Sequence, residues 1–337
     1  MSVRKSTCVV LAAVPQGVPG PEIFTVATEE VGDPGPGEAL VQVSDLSLDP
    51  YLRTTLVGRH LDDPVVPIGG VIPGRAVGRV VASADPSLPA GSWVLGETGW
   101  REYALLPTTQ LRPIAVPDGV PRSAALGALG MPGLTAYAAV QRHLRPVAGD
   151  TVVIGSATGG VGSVAGPLAK LAGARTVALV GDDAKAKTAV QTLGYDAAVV
   201  RTAPDWIEQL AAACPDRING YLHMGDAQTL EVVMESLAVG ARVSLCGLMD
   251  QTNGGPRTML RAGAVMAARA VVHGMVVYDH FDLAAEQVER VADLLREGRL
   301  HLHEDRYQGL ASAPEAFARL MSGRNHGKVV VQVAALD

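Results

Sequence analysis

Residues Thr151–Gly162 read TVVIGSATGGVG, and this stretch decides the fold. Thr151–Ile154 is a short apolar, β-branched run without polar alternation, the pattern of a strand covered on both faces of a parallel sheet. A glycine-rich turn follows, Ala157-Thr158-Gly159-Gly160-Val161-Gly162. An apolar stripe then starts at Val161 and continues through Val164, Ala165, Leu168 and Leu171, which is helical spacing. Strand, glycine turn and helix in that order open a dinucleotide-binding βαβ unit. Glycine lets main-chain N–H groups approach a pyrophosphate, and the positive end of the helix dipole faces that anion. Ala157 stands where G-x-G-x-x-G begins with glycine, and the same residues also read as a tight turn without a ligand. Pro167 lies past the first helical turn and is expected to remove a hydrogen bond and kink the helix.

The 337 residues suffice for a large core and two domains. A hydrophobic content of 48% against 18% charged places the chain among globular proteins. The net charge of −6, without a basic patch, argues against a nucleic-acid partner. Three scattered cysteines, Cys8, Cys214 and Cys246, form neither a disulfide framework nor a metal cluster, which fits a reducing cytoplasm. No run is long enough to span a membrane. Arg4-Lys5 before the short run Cys8–Val14 faintly resembles a secretion signal, but a first β-strand is the better reading.

Residues up to about Val120 are rich in Pro and Gly turns and short β-like runs. Strands are expected at Ala39–Val43, Ala76–Ala82, Trp93–Leu95 and Tyr103–Leu106. From Ser123, a candidate N-cap, a βαβα alternation begins. Its strands are expected at Thr151–Ile154, Thr176–Val180, Ala197–Val200, Gly220–His223, Arg242–Cys246 and Ala270–Val277. Helices are expected at Pro204–Ala213, Thr229–Ala238 and about Leu283–Glu297. A strand near Asp305–Gln308, a helix at Pro314–Met321 and a strand at Lys328–Val333 then return to the first domain. Ligands of open α/β sheets bind beyond the carboxyl ends of the strands. That singles out Ser156–Val161, Gly181–Lys185, His223–Asp226 and Cys246–Asn253.

Pro73-Gly74-Arg75-Ala76-Val77-Gly78 stands where zinc alcohol dehydrogenases carry a Gly-His-Glu stretch, and Arg75 and Ala76 cannot ligate zinc. Four further runs carry a specific resemblance. Leu48-Asp49-Pro50-Tyr51-Leu52-Arg53 is similar to a DPYxR motif, and Gly130-Met131-Pro132-Gly133-Leu134-Thr135-Ala136-Tyr137 to a GMPGLTAY signature. Val276-Val277-Tyr278 and Asn325-His326-Gly327-Lys328 follow in order and spacing. Together with the glycine turn and Cys246-Gly247, these runs resemble the zinc-free prostaglandin reductase / NADPH-dependent alkenal double-bond reductase branch of the medium-chain dehydrogenase/reductase superfamily. The resemblance spans essentially the whole chain. It implies an α/β protein with a Rossmann doubly wound parallel sheet, residues 123–298, and a GroES-like irregular β-barrel domain, residues 1–122 completed by 299–337.

The implied activity is hydride transfer from NADPH to the β-carbon of an α,β-unsaturated carbonyl compound, without metal, by a homodimer. Dimerisation is expected through the edge strand at Ala270–Val277. The resemblance assigns cofactor contacts to Thr158, Gly159, Gly160, Val161, Gly162, Met224, Cys246, Gly247, Met275, Val276, Val277 and Asn325. Lys185 matches the family's lysine for the 2′-phosphate, and Arg201 stands where the family commonly has a Tyr that touches it. Asp182 sits where an acid favouring NADH would sit, and opposes that reading. Tyr51 is the expected catalytic and substrate-binding hydroxyl, and Met131 a wall of the substrate pocket. Two positions depart from the family. Thr252 falls where a Tyr is expected near the substrate oxygen, and Met224 replaces an Asn that contacts the cofactor. The departures leave a second reading open: non-redox cyclisation or conjugate addition on an unsaturated metabolite. Thr135 faces either the cofactor or a helix carbonyl. His223 reads either as a proton donor or as a satisfied structural residue.

Overall fold

The computed structural model describes residues 3–58 and 65–336. The chain divides into two units. The first comprises Met1–Leu126, Glu304–Asn325 and Val329–Asp337. Its opening run is the strand β1 (Arg4–Leu11), antiparallel to β2 (Phe24–Val31) from Arg4 opposite Val31 to Leu11 opposite Phe24. Strand β3 (Glu38–Ser47) is almost wholly buried and longer than its apolar core Ala39–Val43 predicts. Its extension is tolerated because Ser44 and Asp45 satisfy each other at 2.7 Å inside the fold. The helical turn α1 (Leu52–Thr55) follows, then β4 (Arg75–Ser83), β5 (Trp93–Glu97), β6 (Tyr103–Pro107) and β7 (Arg112–Pro113). Phe24 stacks on the fully buried Trp100 at 5.3 Å, and Phe317 packs edge-on against both.

The second unit comprises Gly127–His303 and His326–Lys328. It opens with α2 (Met131–Ala138), which continues as a π-helical turn, Ala139–Leu144, ended by Arg145 at φ +49°. Ser123 is not an N-cap. It lies in a 3-10 segment and its hydroxyl meets Glu304 and Arg306, each at 3.1 Å. The alternation then runs β8 (Thr151–Ile154), α3 (Gly162–Leu171), β9 (Arg175–Val180), α4 (Asp183–Gln191), β10 (Ala197–Val200), α5 (Trp206–Ala213), β11 (Ile218–Gly225), α6 (Ala227–Glu235) and β12 (Leu237–Leu248). Two short helices, α7 (Met249–Thr252) and α8 (Ala262–Ala268), precede β13 (Val271–Gly274) and α9 (Ala284–Arg296).

These six strands form one sheet in the order β10-β9-β8-β11-β12-β13, and all of their pairings are parallel. The order reverses between β8 and β11, so the switch point lies beside the glycine turn. All four β8 residues are buried, as their unbroken apolar run requires. Val153, Leu179, Val199 and Tyr221 pack on one face against Trp206, Leu210, Leu230 and Val233. Helix α3 contains Pro167 and continues past it as one element. One expectation needs correction. Strand β13 is shorter than Ala270–Val277, because pairing with β12 ends at Leu245 opposite Gly274 and the chain turns into a 3-10 segment.

The chain then forms β14 (Glu304–Gln308), α10 (Ala313–Met321) and β15 (Lys328–Gln332). They complete a seven-stranded sheet ordered β14-β15-β3-β4-β5-β7, with β6 on the second edge of β3. The result is the two-part architecture the sequence predicts: a Rossmann sheet and a separate GroES-like β-unit.

Candidate functional site

The turn between β8 and α3 is shaped by contacts at both of its ends. Gly155 N–H donates to Leu222 O across to β11 at 2.9 Å, and Ala157 N–H donates to Leu179 O at 3.3 Å. Between them Ser156 adopts φ +47°, a strained conformation for a residue with a side chain. Its hydroxyl donates to Met224 O at 2.9 Å, which holds the turn over the end of β11. Gly159 N–H closes back on Ser156 O at 2.9 Å. Helix α3 starts at Gly162, and its first turn is closed onto the glycine turn: Ser163 N–H donates to Gly159 O at 2.9 Å and Ala165 N–H to Val161 O at 2.9 Å.

Gly162 has no room for a side chain. A methyl there would lie 2.6 Å from Ala157 Cα and Ser156 O, both main chain. Close backbone approach is what a pyrophosphate cradle requires. Tyr195 reinforces it from below: its hydroxyl donates to Gly162 O at 2.7 Å, and its ring fills the space a Gly166 side chain would take. Thr158 is buried beside Ala157, while Gly159, Gly160 and Val161 are half-buried.

At the tip of β9, Asp182 caps α4 by accepting from Lys185 N–H at 2.8 Å. Its second oxygen is 3.9 Å from the Lys185 ammonium, and the Lys185 side chain is nearly buried. Asp182 is therefore an N-cap partly neutralised by Lys185. After β10, exposed Arg201 donates to Asp226 at 2.8 Å. Asp226 also caps α6 through Thr229 N–H at 2.7 Å. Burial pushes the Asp226 carboxyl up, but the Thr229 bonds and Arg201 outweigh it and hold the group below its ordinary range.

His223 is fully buried on β11 and shares a 2.8 Å hydrogen bond with Tyr221 through Nδ1. Among the described residues its Nε2 meets no hydrogen-bond partner. Burial pulls its pKa down to about 4, so the ring is neutral near pH 7. This favours the structural reading of His223. Met224 pairs with Gly247 at the ends of β11 and β12, where a register shift follows His223. Cys246 and Gly247 are half-buried on β12, and burial of the sulfur raises the Cys246 thiol to about 12. Met275 N–H bonds Leu245 O at 2.9 Å; Val276 is partly exposed and Val277 begins the 3-10 segment. Thr252 ends helix α7 and is half-buried. Met131 begins α2, and Thr135 Oγ1 donates to its carbonyl at 2.8 Å, so the helix-carbonyl reading of Thr135 holds.

In the first unit, the DPYxR run separates into parts. Arg53 is buried and donates to Pro15 O at 3.3 Å and Gly17 O at 3.1 Å, pinning that loop. Asp49 is buried and accepts from Ser47. Tyr51 is half-buried at the start of α1. Arg75 holds Glu97 at 2.7 Å. Burial would lower its pKa, but Glu97, Tyr51 and Asp49 together raise it. Asn325 is half-buried ahead of β15. Sequence reasoning missed Tyr195, and it placed Ser156 and Asp226 within candidate segments without the bonds they make to Met224 O and Arg201. The glycine at 166 was the one available signal, since it marks a close approach without naming what approaches.

The sites fit a dinucleotide: a cradle with no space for a Cβ at Gly162, and cations at Lys185 and Arg201. They do not fit zinc, since Arg75 and Ala76 carry no zinc donor, and among the described residues no group of three or more His, Cys, Asp or Glu could hold a metal.

Residues 7–114 match a family described as the N-terminal domain of oxidoreductase, and residues 193–331 one described as zinc-binding dehydrogenase. An NADPH-dependent curcumin reductase of Escherichia coli (strain K12) is 36% identical over 335 residues, covering 97% of each chain. A 2-alkenal reductase (NADP(+)-dependent) of Nicotiana tabacum is 32% identical over 308 residues, covering 89% of this chain and 88% of its own. The crystal structure of CurA in complex with NADPH from Vibrio vulnificus superposes with a TM-score of 0.91 at 34% identity, covering 98% of this chain and 100% of that one. The chain belongs to the medium-chain dehydrogenase/reductase superfamily, in its zinc-independent branch of NADPH-dependent double-bond reductases.

Proposed function

We propose that this protein is an NADPH-dependent reductase of the carbon–carbon double bond in α,β-unsaturated carbonyl compounds. The observation that carries the reading is the glycine cradle ahead of α3, where Gly162 admits no side chain. When bound, NADPH supplies a hydride from nicotinamide C4 to the substrate's β-carbon, and negative charge develops on the carbonyl oxygen.

The chain's residues divide the remaining work. Main-chain amides of Thr158, Gly160, Val161 and Gly162 bind the pyrophosphate, and Gly159, whose N–H closes on Ser156 O, lets the chain lie close against it. Lys185 and Arg201 bind the 2′-phosphate, a role supported by the capping of Asp182, which uses one of its oxygens. Met224, Cys246, Gly247, Met275, Val276, Val277 and Asn325 hold the nicotinamide half. Tyr51 donates to the carbonyl oxygen as charge grows there, and Met131 shapes the substrate pocket. Thr252 supplies a short hydroxyl. Water delivers the proton to the α-carbon. The Rossmann unit, Gly127–His303 with His326–Lys328, thus serves as the cofactor domain expected at residues 123–298, and the β-unit as the substrate domain.

The protein works as a homodimer through β13, the edge strand of the six-stranded sheet, beside which Val271 and Phe281 are exposed. Light scattering at twice the chain mass is the expected result. Cys8 and Cys214 are buried free thiols and Cys246 is also free, which suits a reducing cytoplasm. No helix among the described residues is long and apolar enough to cross a membrane.

The test is loss of nicotinamide absorbance with a panel of enones, enals and quinones. Tight cofactor binding with no oxidation by any acceptor refutes the reductase. Thr252 and Met224 favour one rival, non-redox cyclisation or conjugate addition. Turnover with an NADPH analogue that cannot give hydride would establish that rival.

A further inference from the structure

The glycine turn carries no cationic side chain of its own, since Ser156–Gly162 reads SATGGVG. A pyrophosphate brings two negative charges, and a helix terminus offsets about half of one. The remaining countercharge has to come from outside the turn. Lys328 is the residue that reaches it.

Lys328 is 5% exposed, which is rare for a lysine. Its amide donates to His303 O at 2.9 Å, fixing where the side chain departs. The stem then runs past two glycines. A methyl on Gly127 would lie 3.5 Å from Lys328 Cγ, and a methyl on Gly160 would lie 2.9 Å from Lys328 Cδ. The Gly160 methyl would also touch Pro132 Cβ at 3.4 Å. The absence of a side chain at Gly160 therefore does more than relax the turn: it opens the path that the lysine stem follows. The ammonium lies two bonds beyond Cδ, at most about 2.5 Å further. The stem therefore passes directly against Gly160, within the cradle's own turn.

We propose that Lys328 is the side-chain cation of the pyrophosphate site, acting with the main-chain amides of the turn. The inference rests on reading NADPH as the cofactor. It gives the Asn325-His326-Gly327-Lys328 run a role beyond that of Asn325. It also separates two jobs. Lys185 and Arg201 serve the 2′-phosphate, which NADH lacks, whereas Lys328 serves the part common to both dinucleotides.

The experiment measures Kd for NADPH and for NADH by calorimetry on the full chain, for wild type, Lys328→Met and Arg201→Ala. Met keeps the unbranched stem and removes the charge. Lys328→Met is expected to weaken both dinucleotides by the same factor, roughly 10- to 100-fold. Arg201→Ala is expected to weaken NADPH alone. If Lys328→Met unfolds, Lys328→Gln takes its place, with thermal denaturation confirming the fold. Wild-type affinity in a folded, neutral Lys328 variant overturns the proposal, as does a loss confined to NADPH. Wild type binding neither dinucleotide would instead overturn the cofactor reading itself.

Discussion

Replacing Gly162 by Ala tests the cradle directly. The added methyl would sit 2.6 Å from Ala157 Cα, 2.6 Å from Ser156 O and 2.7 Å from Ala157 C. Ordinary contacts of this kind are near 3.4 Å, so the turn and the helix must separate by about 0.8 Å. Neither side yields easily. Ser156 is already strained at φ +47° and tied to Met224 O, and Tyr195 holds Gly162 O at 2.7 Å. Overpacking of this kind costs about 1–3 kcal/mol. The better helix propensity of Ala returns at most about 1 kcal/mol. A net loss of up to about 2 kcal/mol lowers Tm by up to roughly 8 °C for a unit of this size. Cofactor binding suffers more, because displaced amides forfeit charge-assisted hydrogen bonds worth about 1.5–3 kcal/mol each. The expected NADPH Kd is roughly 10- to 100-fold weaker. Gly181→Ala is the control, since nothing lies within 4 Å of its added methyl. Its stability should stay within about 0.5 kcal/mol of wild type. Thermal denaturation and a fluorescence titration with NADPH read both effects. Wild-type Tm and Kd in Gly162→Ala would refute the steric argument.

Three further outcomes follow from the geometry. Burial pulls His223 and His143 down to about 4 from an ordinary 6.5, so the folded protein favours their neutral forms. The unfolded chain then binds more protons between those values, and stability falls as pH drops from about 6.5 towards 4. At 1.36 kcal/mol per unit, His223 contributes about 3 kcal/mol of that loss; denaturant midpoints that stay level from pH 7 to 4.5 would contradict it. Arg201→Ala, which removes the partner of Asp226, should reduce the preference for NADPH over NADH about ten-fold in paired Kd measurements. Tyr195→Phe deletes the 2.7 Å bond to Gly162 O and should cost about 1–2 kcal/mol by thermal denaturation, with NADPH weakened in parallel.

Legibility followed the range of the interactions. Thr151–Ile154 has the ends that its apolar run predicts, because a strand buried on both faces carries no polar residue to blur them; Ala197–Val200, at the sheet edge and buried only at Val199, also keeps its expected ends. Strand β12 runs several residues beyond Arg242–Cys246 at its start, because Leu237 pairs with Ile218 ahead of the apolar run. The π-helical turn at Ala139–Leu144 has no signature in local propensity. Arg53 belongs to a site motif in sequence, yet its guanidinium is spent on Pro15 and Gly17 carbonyls.

The sequence by itself determined the strand–helix alternation from Thr151 onward, the glycine turn and the family, because hydrophobic period, glycine placement and motif spacing are properties of neighbouring residues. Only the tertiary structure decided that Asp182 is a cap, that Tyr195 supports Gly162, and that the Lys328 stem passes Gly160. Each of these depends on strands paired side by side and on a chain that returns to the glycine turn long after leaving it. Such contacts arise from close packing, which a linear pattern does not encode.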